Sequence, residues 1–214
     1  MRCDNCLNLL RAIGLCWILT IGLIAPLETA WAEVQKPEQA IEGFIKAIRA
    51  MDFPIIDQSR HAKLVEQADS YLDLDAMGQR ALAAHWAQAT SDEQKNFFDL
   101  MWKLIETIAY SRSRKFMGDF EVLYPEVKQA GDHYEVHSVI KQQEEDLDAK
   151  VVYSVYQKNG QWKIDDVILD DVSITEDLKY QFDKIIAQSR FAGLLDKMRE
   201  RLAQAETENN APAA

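Results

Sequence analysis

The sequence is short of cysteine, of basic residues and of glycine, and each shortage narrows what the chain can do. Its cysteines are Cys3, Cys6 and Cys16, and none follows in the rest of the 214 residues. The chain beyond Cys16 therefore offers no thiol nucleophile and no thiolate metal site. Lys and Arg number 24 against 35 Asp and Glu, a formal net charge of −11. With no basic stripe to neutralise phosphates, nucleic-acid binding is disfavoured, and no nucleic-acid partner is expected. The same balance disfavours retention on anionic membrane by charge alone. Glycines number eight, and no Gly-rich phosphate loop appears among them. Neither G-x-S-x-G nor H-E-x-x-H occurs, so the nucleophile elbow and the two-histidine zinc helix are both missing. The hydrophobic fraction, 48%, is that of an ordinary globular protein.

The N-terminus has the order of an export signal. Arg2 and Arg11 precede an uncharged, mostly apolar run from Ala12 to Ala25; Pro26 ends it, and Ala30-Trp31-Ala32 follows. A positive start, a short apolar middle and a small-x-small site make a secretory signal peptide. The run is too short to span a bilayer comfortably, which takes about 20 residues. Cys16 lies inside the run, whereas a lipidated cysteine would sit at the cleavage point. Cleavage is expected after Ala32, leaving a mature chain from Glu33. The lost segment carries Arg2, Arg11, Asp4 and Glu28, so the net charge survives processing. An exported chain without cysteine must hold its fold by core packing. A domain of this size buries about 70% of its unfolded surface, which makes that feasible.

Beyond the signal, periodicity predicts helices, then strands, then helices. Gln39 to Met51 places Ile41, Phe44, Ile45, Ile48 and Met51 at helical spacing. Ser59 to Ser70 and Leu74 to Ala89 predict two more helices. Thr90 with Glu93, and Ser91 with Gln94, form overlapping capping boxes. They open the longest expected helix, Asp92 to about Met117. After Gly118 the period becomes two. Strands are expected at Phe120 to Tyr124, Tyr134 to Ile140, Lys150 to Lys158 and Trp162 to Val172, with Asn159-Gly160 as a hairpin turn. Thr175 caps a helix with Leu178, Phe182, Ile185 and Ile186. Another helix holds Phe191, Leu194, Leu195, Met198 and Leu202. Residues 205–214 are polar and small and are expected to be a disordered tail. The expectation is one α+β domain over residues 33–204, with a four-stranded antiparallel meander and helices grouped at both ends.

Residues with chemistry are few. His133 and His137 share one face of an expected strand, about 13 Å apart, too far to share a metal. They read as an exposed strand face, and His85 as packing at the edge of a helix stripe. Asp165-Asp166 and Asp170-Asp171 flank Val167-Ile168-Leu169 but do not fit a calcium loop. Asp166 or Asp170, if buried in an apolar pocket, could act as the raised-pKa base of an isomerase or dehydratase. Solvated turn residues are the plainer reading of both. No catalytic residue, cofactor or metal is expected.

Several stretches together carry a resemblance. They are Leu72-Asp73-Leu74-Asp75-Ala76-Met77-Gly78-Gln79-Arg80-Ala81-Leu82-Ala83-Ala84-His85-Trp86 through Thr90, then Glu93-Gln94, Phe97, Leu104-Ile105 and Tyr110. Later come Gly160-Gln161-Trp162-Lys163-Ile164-Asp165-Asp166-Val167, Asp171-Val172-Ser173 and Tyr180-Gln181-Phe182. Their order and spacing resemble the MlaC family, also called the toluene-tolerance auxiliary family, from roughly Ile41 to Leu202. One departure is Asp171, where the family pattern has a glycine; it touches a turn. The resemblance implies a nuclear-transport-factor-like fold with extra helices, wrapped around an apolar pocket for phospholipid acyl chains. It implies a soluble monomer in the periplasm that docks an inner-membrane ABC transporter carrying a lipid-binding ring, and an outer-membrane lipoprotein complex. The expected pocket wall is Trp86, Phe97, Met101, Leu104, Ile108, Val136, Tyr153, Val155, Trp162 and Ile164; plain core packing is the alternative for each.

The physics suits such a shuttle. Each acyl methylene left in water costs about 0.8 kcal/mol, so two chains of about fifteen cost on the order of 20 kcal/mol. Lipid does not cross an aqueous gap unaided, and exchange needs no nucleophile, metal or nucleotide. The competing readings are an enzyme on the same fold using a pocket Asp, and a carrier of another apolar cargo such as a hopanoid or an aromatic solvent.

Overall fold

Capping side chains set where most of the helices begin. The computed structural model describes residues 36–118, 120–141 and 148–210. The expected signal, its cleavage site and the acidic residues 144–147 lie outside them. Helix α1 (Pro37–Arg49) opens with proline at its first position, where the missing N–H costs nothing. Asp57 caps α2 (Gln58–Asp69) by accepting from the Ser59 and Arg60 amides, and Asp73 caps α3 (Leu74–Leu82) through the Ala76 amide. The helix expected from Leu74 to Ala89 breaks at Ala83, whose φ of 47° is left-handed, and resumes as α4 (Ala84–Gln88). Thr90 and Glu93 close the expected capping box on α5 (Ser91–Leu104).

The long helix expected to reach Met117 is not uniform. It passes through a π-helical turn (Ile105–Tyr110) before α6 (Ser111–Met117). This turn is tied to α2: Tyr110 Oη donates to Asp69 Oδ1, and Glu106 lies 3.6 Å from the buried His61 ring. Burial pushes the Asp69 carboxyl and the Tyr110 hydroxyl up from their ordinary values.

The strands are β1 (Glu121–Ala130), β2 (His133–Lys141), β3 (Ala149–Lys158), β4 (Gln161–Leu169) and β5 (Val172–Ser173), hydrogen-bonded in that order. The expected antiparallel meander is present, with a correction: among the described residues it has five strands, not four. Strand β4 stops short of Val172 because Asp170 (φ 48°) and Asp171 (φ 64°) form a two-residue turn with both φ positive. Asp tolerates that region better than most residues, and β5 returns along β4. The first strand is also longer than expected, its register shifting between Leu123 and Glu126. The outer edge of β4 is covered near its start by residues 71–73: the Ile164 amide donates to the Tyr71 carbonyl, and Asp73 to Ile164, each at 2.8 Å.

The two C-terminal helices expected from the sequence run together as α7 (Ile174–Asn210), bent at Arg190 (φ 61°, ψ −177°). The tail expected from Ala205 begins instead as helix, with Ala205 buried. Period-two burial on the sheet is regular. Val136, Ser138 and Ile140 of β2 and Val151, Tyr153 and Val155 of β3 are all buried, with Val136 opposite Tyr153 and Ser138 opposite Val151. Side chains from α1, α3, α5 and α7 complete one apolar cluster with them. Phe97, fully buried in it, contacts Phe182 and Phe191, which stand on either side of the α7 bend.

Candidate functional site

The apolar cluster brings together most of the residues expected to line a pocket. Phe97, Met101, Val136, Tyr153, Val155 and Ile164 are buried in it, while Trp86, Leu104 and Trp162 are half-buried and pack against it. Ile108, on the π turn, is half-buried and is not among the residues packed on the cluster. Strand pairing positions the sheet members: Val136 lies opposite Tyr153, Tyr153 opposite Val167, and Val155 opposite Ile164. Edge-to-face rings position the others. Trp86 meets Phe98 at 5.4 Å between centroids, Phe98 meets Phe97 at 5.4 Å, and Tyr134 meets Trp162 at 5.2 Å. Helices α3 and α5 approach closely at Gly78, where a Cβ would lie 2.8 Å from the Phe98 ring and 3.1 Å from the Phe97 ring.

The acidic residues divide by environment. Asp166, a candidate pocket base, is fully engaged as a structural acceptor. Its carboxylate takes Ser173 Oγ at 2.5 Å, Thr175 Oγ1 at 2.8 Å, and the Val167 and Thr175 amides. Asp170 is an exposed turn residue. Neither sits as a lone carboxyl in an apolar pocket. Among the described residues no group of three His, Asp or Glu side chains could hold a metal ion.

Sequence reading missed a polar network on the other side of β3 and β4. Asp165 is the extra residue of a bulge, between Ile164 opposite Val155 and Asp166 opposite Ser154. It is 2% exposed, and its Oδ2 takes Arg80 at 2.5 Å and His133 Nε2 at 3.1 Å. His133 also bonds Asp132 at 2.8 Å and stacks on Tyr156 at 5.0 Å. Burial lowers the His133 pKa, but the Asp132 and Asp165 carboxylates outweigh it and raise it above the ordinary histidine value. Next to this, Asp73 accepts from Tyr156 Oη and, at 2.6 Å, from Lys158 Nζ. Burial pushes the Asp73 carboxyl up, yet those two hydrogen bonds and the Ala76 amide hold it below its usual range. His137 stays on the strand face beside Glu135, and His85 bonds Asp183 at 2.9 Å, joining α4 to α7.

A cleft of about 290 Å³ opens beside this network. Leu72, Leu74 and Trp102 supply its apolar part; Asp73, Asp75, Lys158 and Lys163 supply its charges, with Asn159 and Gln161 from the hairpin tip. None of the ten expected pocket residues lines it.

Comparison with known proteins then identifies the chain. The model of the family described as MlaC protein matches residues 38–200. The chain belongs to the MlaC family. Among solved structures, this MlaC-family protein is similar to a phospholipid-binding protein from Ralstonia solanacearum, whose structure was determined in complex with a phospholipid. The two share 22% sequence identity at a TM-score of 0.67, over 82% of this chain and 99% of that one. At that identity the likeness establishes the fold: α+β, with an open antiparallel sheet and several helices. A search of curated proteins finds no match. Among the described residues no helix is long and apolar enough to cross a membrane.

Proposed function

We propose that this MlaC-family protein is a periplasmic lipid carrier. It holds phospholipid acyl chains against the apolar cluster and ferries lipid between an inner-membrane ABC transporter with a lipid-binding ring and an outer-membrane lipoprotein complex. The observation that carries the reading is the apolar cluster shared, among the described residues, by the sheet and by helices on both sides of it in sequence. Its aromatic and aliphatic side chains match acyl chains in chemistry, and the fold neighbour was solved with a phospholipid. Trp86, Phe97, Met101, Leu104, Ile108, Val136, Tyr153, Val155, Trp162 and Ile164 are the proposed chain contacts. Leu104 and Ile108 stand at the π turn, and such turns recur at functional sites. The two acidic residues that suggested an isomerase lend it no support, since one is saturated by hydrogen bonds and the other lies in an exposed turn.

The carrier works as a monomer after cleavage behind Ala32. Its net charge of −11 keeps it off anionic bilayers and leaves loading to docking partners. Native mass spectrometry of protein purified without detergent tests the reading. A co-eluting phospholipid is the expected result. A hopanoid or other apolar cargo in its place, or protein that emerges empty and takes up no phospholipid from vesicles, overturns it.

A further inference from the structure

The cleft beside the hairpin tip has a chemistry of its own. Its charges are unevenly neutralised. Asp73 is already occupied by the Ala76 amide, the Tyr156 hydroxyl and the Lys158 ammonium. Lys158 spends one of its three N–H donors there, and its side chain remains 45% exposed. Lys163 donates to the Ser70 carbonyl, a neutral acceptor, so its charge is not cancelled by that bond. Two ammonium groups thus reach one small cleft of a chain whose net charge is −11. The side-chain amides of Asn159 and Gln161 add neutral donors at the hairpin tip. Asp75, exposed in the first turn of α3, provides the only carboxylate of the lining that is not held by a lysine in a described contact. Trp102 offers an aromatic surface, which attracts a cation.

The floor of the cleft is continuous with the apolar interior. Leu72 and Leu74 belong to the central cluster, and Trp102 packs against it. A ligand seated here would present its polar part to the lysines and have apolar side chains directly beneath it.

We propose that this cleft is the seat of a phosphodiester that carries an amine, a headgroup of the phosphoethanolamine type. The phosphate oxygens accept from Lys158, Lys163 and the hairpin amides; the amine lies towards Asp75 and the Trp102 ring. The inference deepens the carrier reading and rests on it, because the same headgroup chemistry occurs in a lipid and in a free phosphodiester.

The test uses the mature chain stripped of lipid, with its fold verified by circular dichroism. The Trp102 indole N–H and the Asn159 and Gln161 side-chain amides are followed by NMR as glycerophosphoethanolamine, glycerophosphoglycerol or inorganic phosphate is added. Glycerophosphoethanolamine is expected to move all three signals saturably and to bind most tightly. Lys163→Gln weakens it about tenfold, as expected for one charge-assisted hydrogen bond, and Lys163→Arg retains most of it. Phosphatidylethanolamine loaded from vesicles moves the same signals if the seat serves the lipid; shifts with the chain-free diester alone assign it to a free ligand. Equal binding of inorganic phosphate overturns the amine-bearing assignment, and unmoved signals overturn the site. Phospholipid co-purification is scored separately, so an empty cleft in a protein that still carries lipid refutes this seat and leaves the carrier reading standing.

Discussion

Asp166 and Thr175 lock the end of the sheet to the start of the last helix. Thr175, 2% exposed, donates to Asp166 Oδ1 through both its hydroxyl, at 2.8 Å, and its amide, at 3.2 Å. Ser173 Oγ fills the other carboxylate oxygen and in turn accepts from the Glu176 amide. One side chain therefore satisfies the first turn of α7 from the neighbouring strand. Asp166→Ala leaves buried donors of Thr175 unpaired and should cost about 2–4 kcal/mol. Urea unfolding measures that loss. A variant as stable as the wild type would show that this junction does not hold α7.

His133 gives stability a pH dependence. Its pKa is raised in the folded protein, chiefly against burial, by Asp132 and Asp165. A raised value means that the folded state binds the proton more tightly. The contribution is then complete below the unfolded value of about 6.5 and fades as pH rises through the folded value. The ring is partly exposed, so solvent screening keeps the effect small. Comparing unfolding midpoints of the wild type and His133→Gln at pH 5.5 and 8.5 checks the sign: the gap between them should be wider at the lower pH.

Gly78 sets how closely α3 and α5 approach. A methyl there would meet the Phe98 ring at 2.8 Å, Met101 Sδ at 3.0 Å and the Phe97 ring at 3.1 Å. Alanine would gain about 1 kcal/mol in helix propensity, while overpacking a core costs about 1–3 kcal/mol. The steric cost wins because three side chains on α5 converge on the same point. Gly78→Ala should lower the thermal midpoint and Gly78→Val should lower it further. A midpoint raised by alanine would mean that α5 yields freely.

These contrasts show where sequence was sufficient. Alternating Val136, Ser138 and Ile140, the Asn159-Gly160 turn and the Thr90–Glu93 box are local signals, and each forms the element it predicts. The breaks at Ala83 and Arg190 are not local, since alanine and arginine are strong helix formers and only packing can hold them at positive φ. The Asp165 bulge was illegible for a related reason: one inserted residue shifts the period of β4 midway. Arg80–Asp165 and Lys158–Asp73 each join residues 85 positions apart, beyond any spacing rule. For the expected pocket wall, hydrophobic type placed residues in the cluster, but it does not separate those that touch cargo from those that touch one another.

Leu104 is the position where that separation can be made. It is half-buried at the end of α5, packs on the central cluster and borders the π turn. A fully buried core position would not accept a larger side chain without strain. A residue half-open to a cavity would accept it and fill the space that cargo needs. Leu104→Trp should therefore keep the wild-type thermal midpoint within a few degrees, corresponding to less than about 1 kcal/mol for a domain of this size. Phospholipid carried through detergent-free purification, read by native mass spectrometry, should fall several-fold in the same variant. Occupancy at the wild-type level with an unchanged midpoint would remove Leu104 from the proposed wall. A collapsed midpoint would place it in the closed core instead, and in that case the half-buried Trp86 provides the independent probe, through the response of its fluorescence to added lipid.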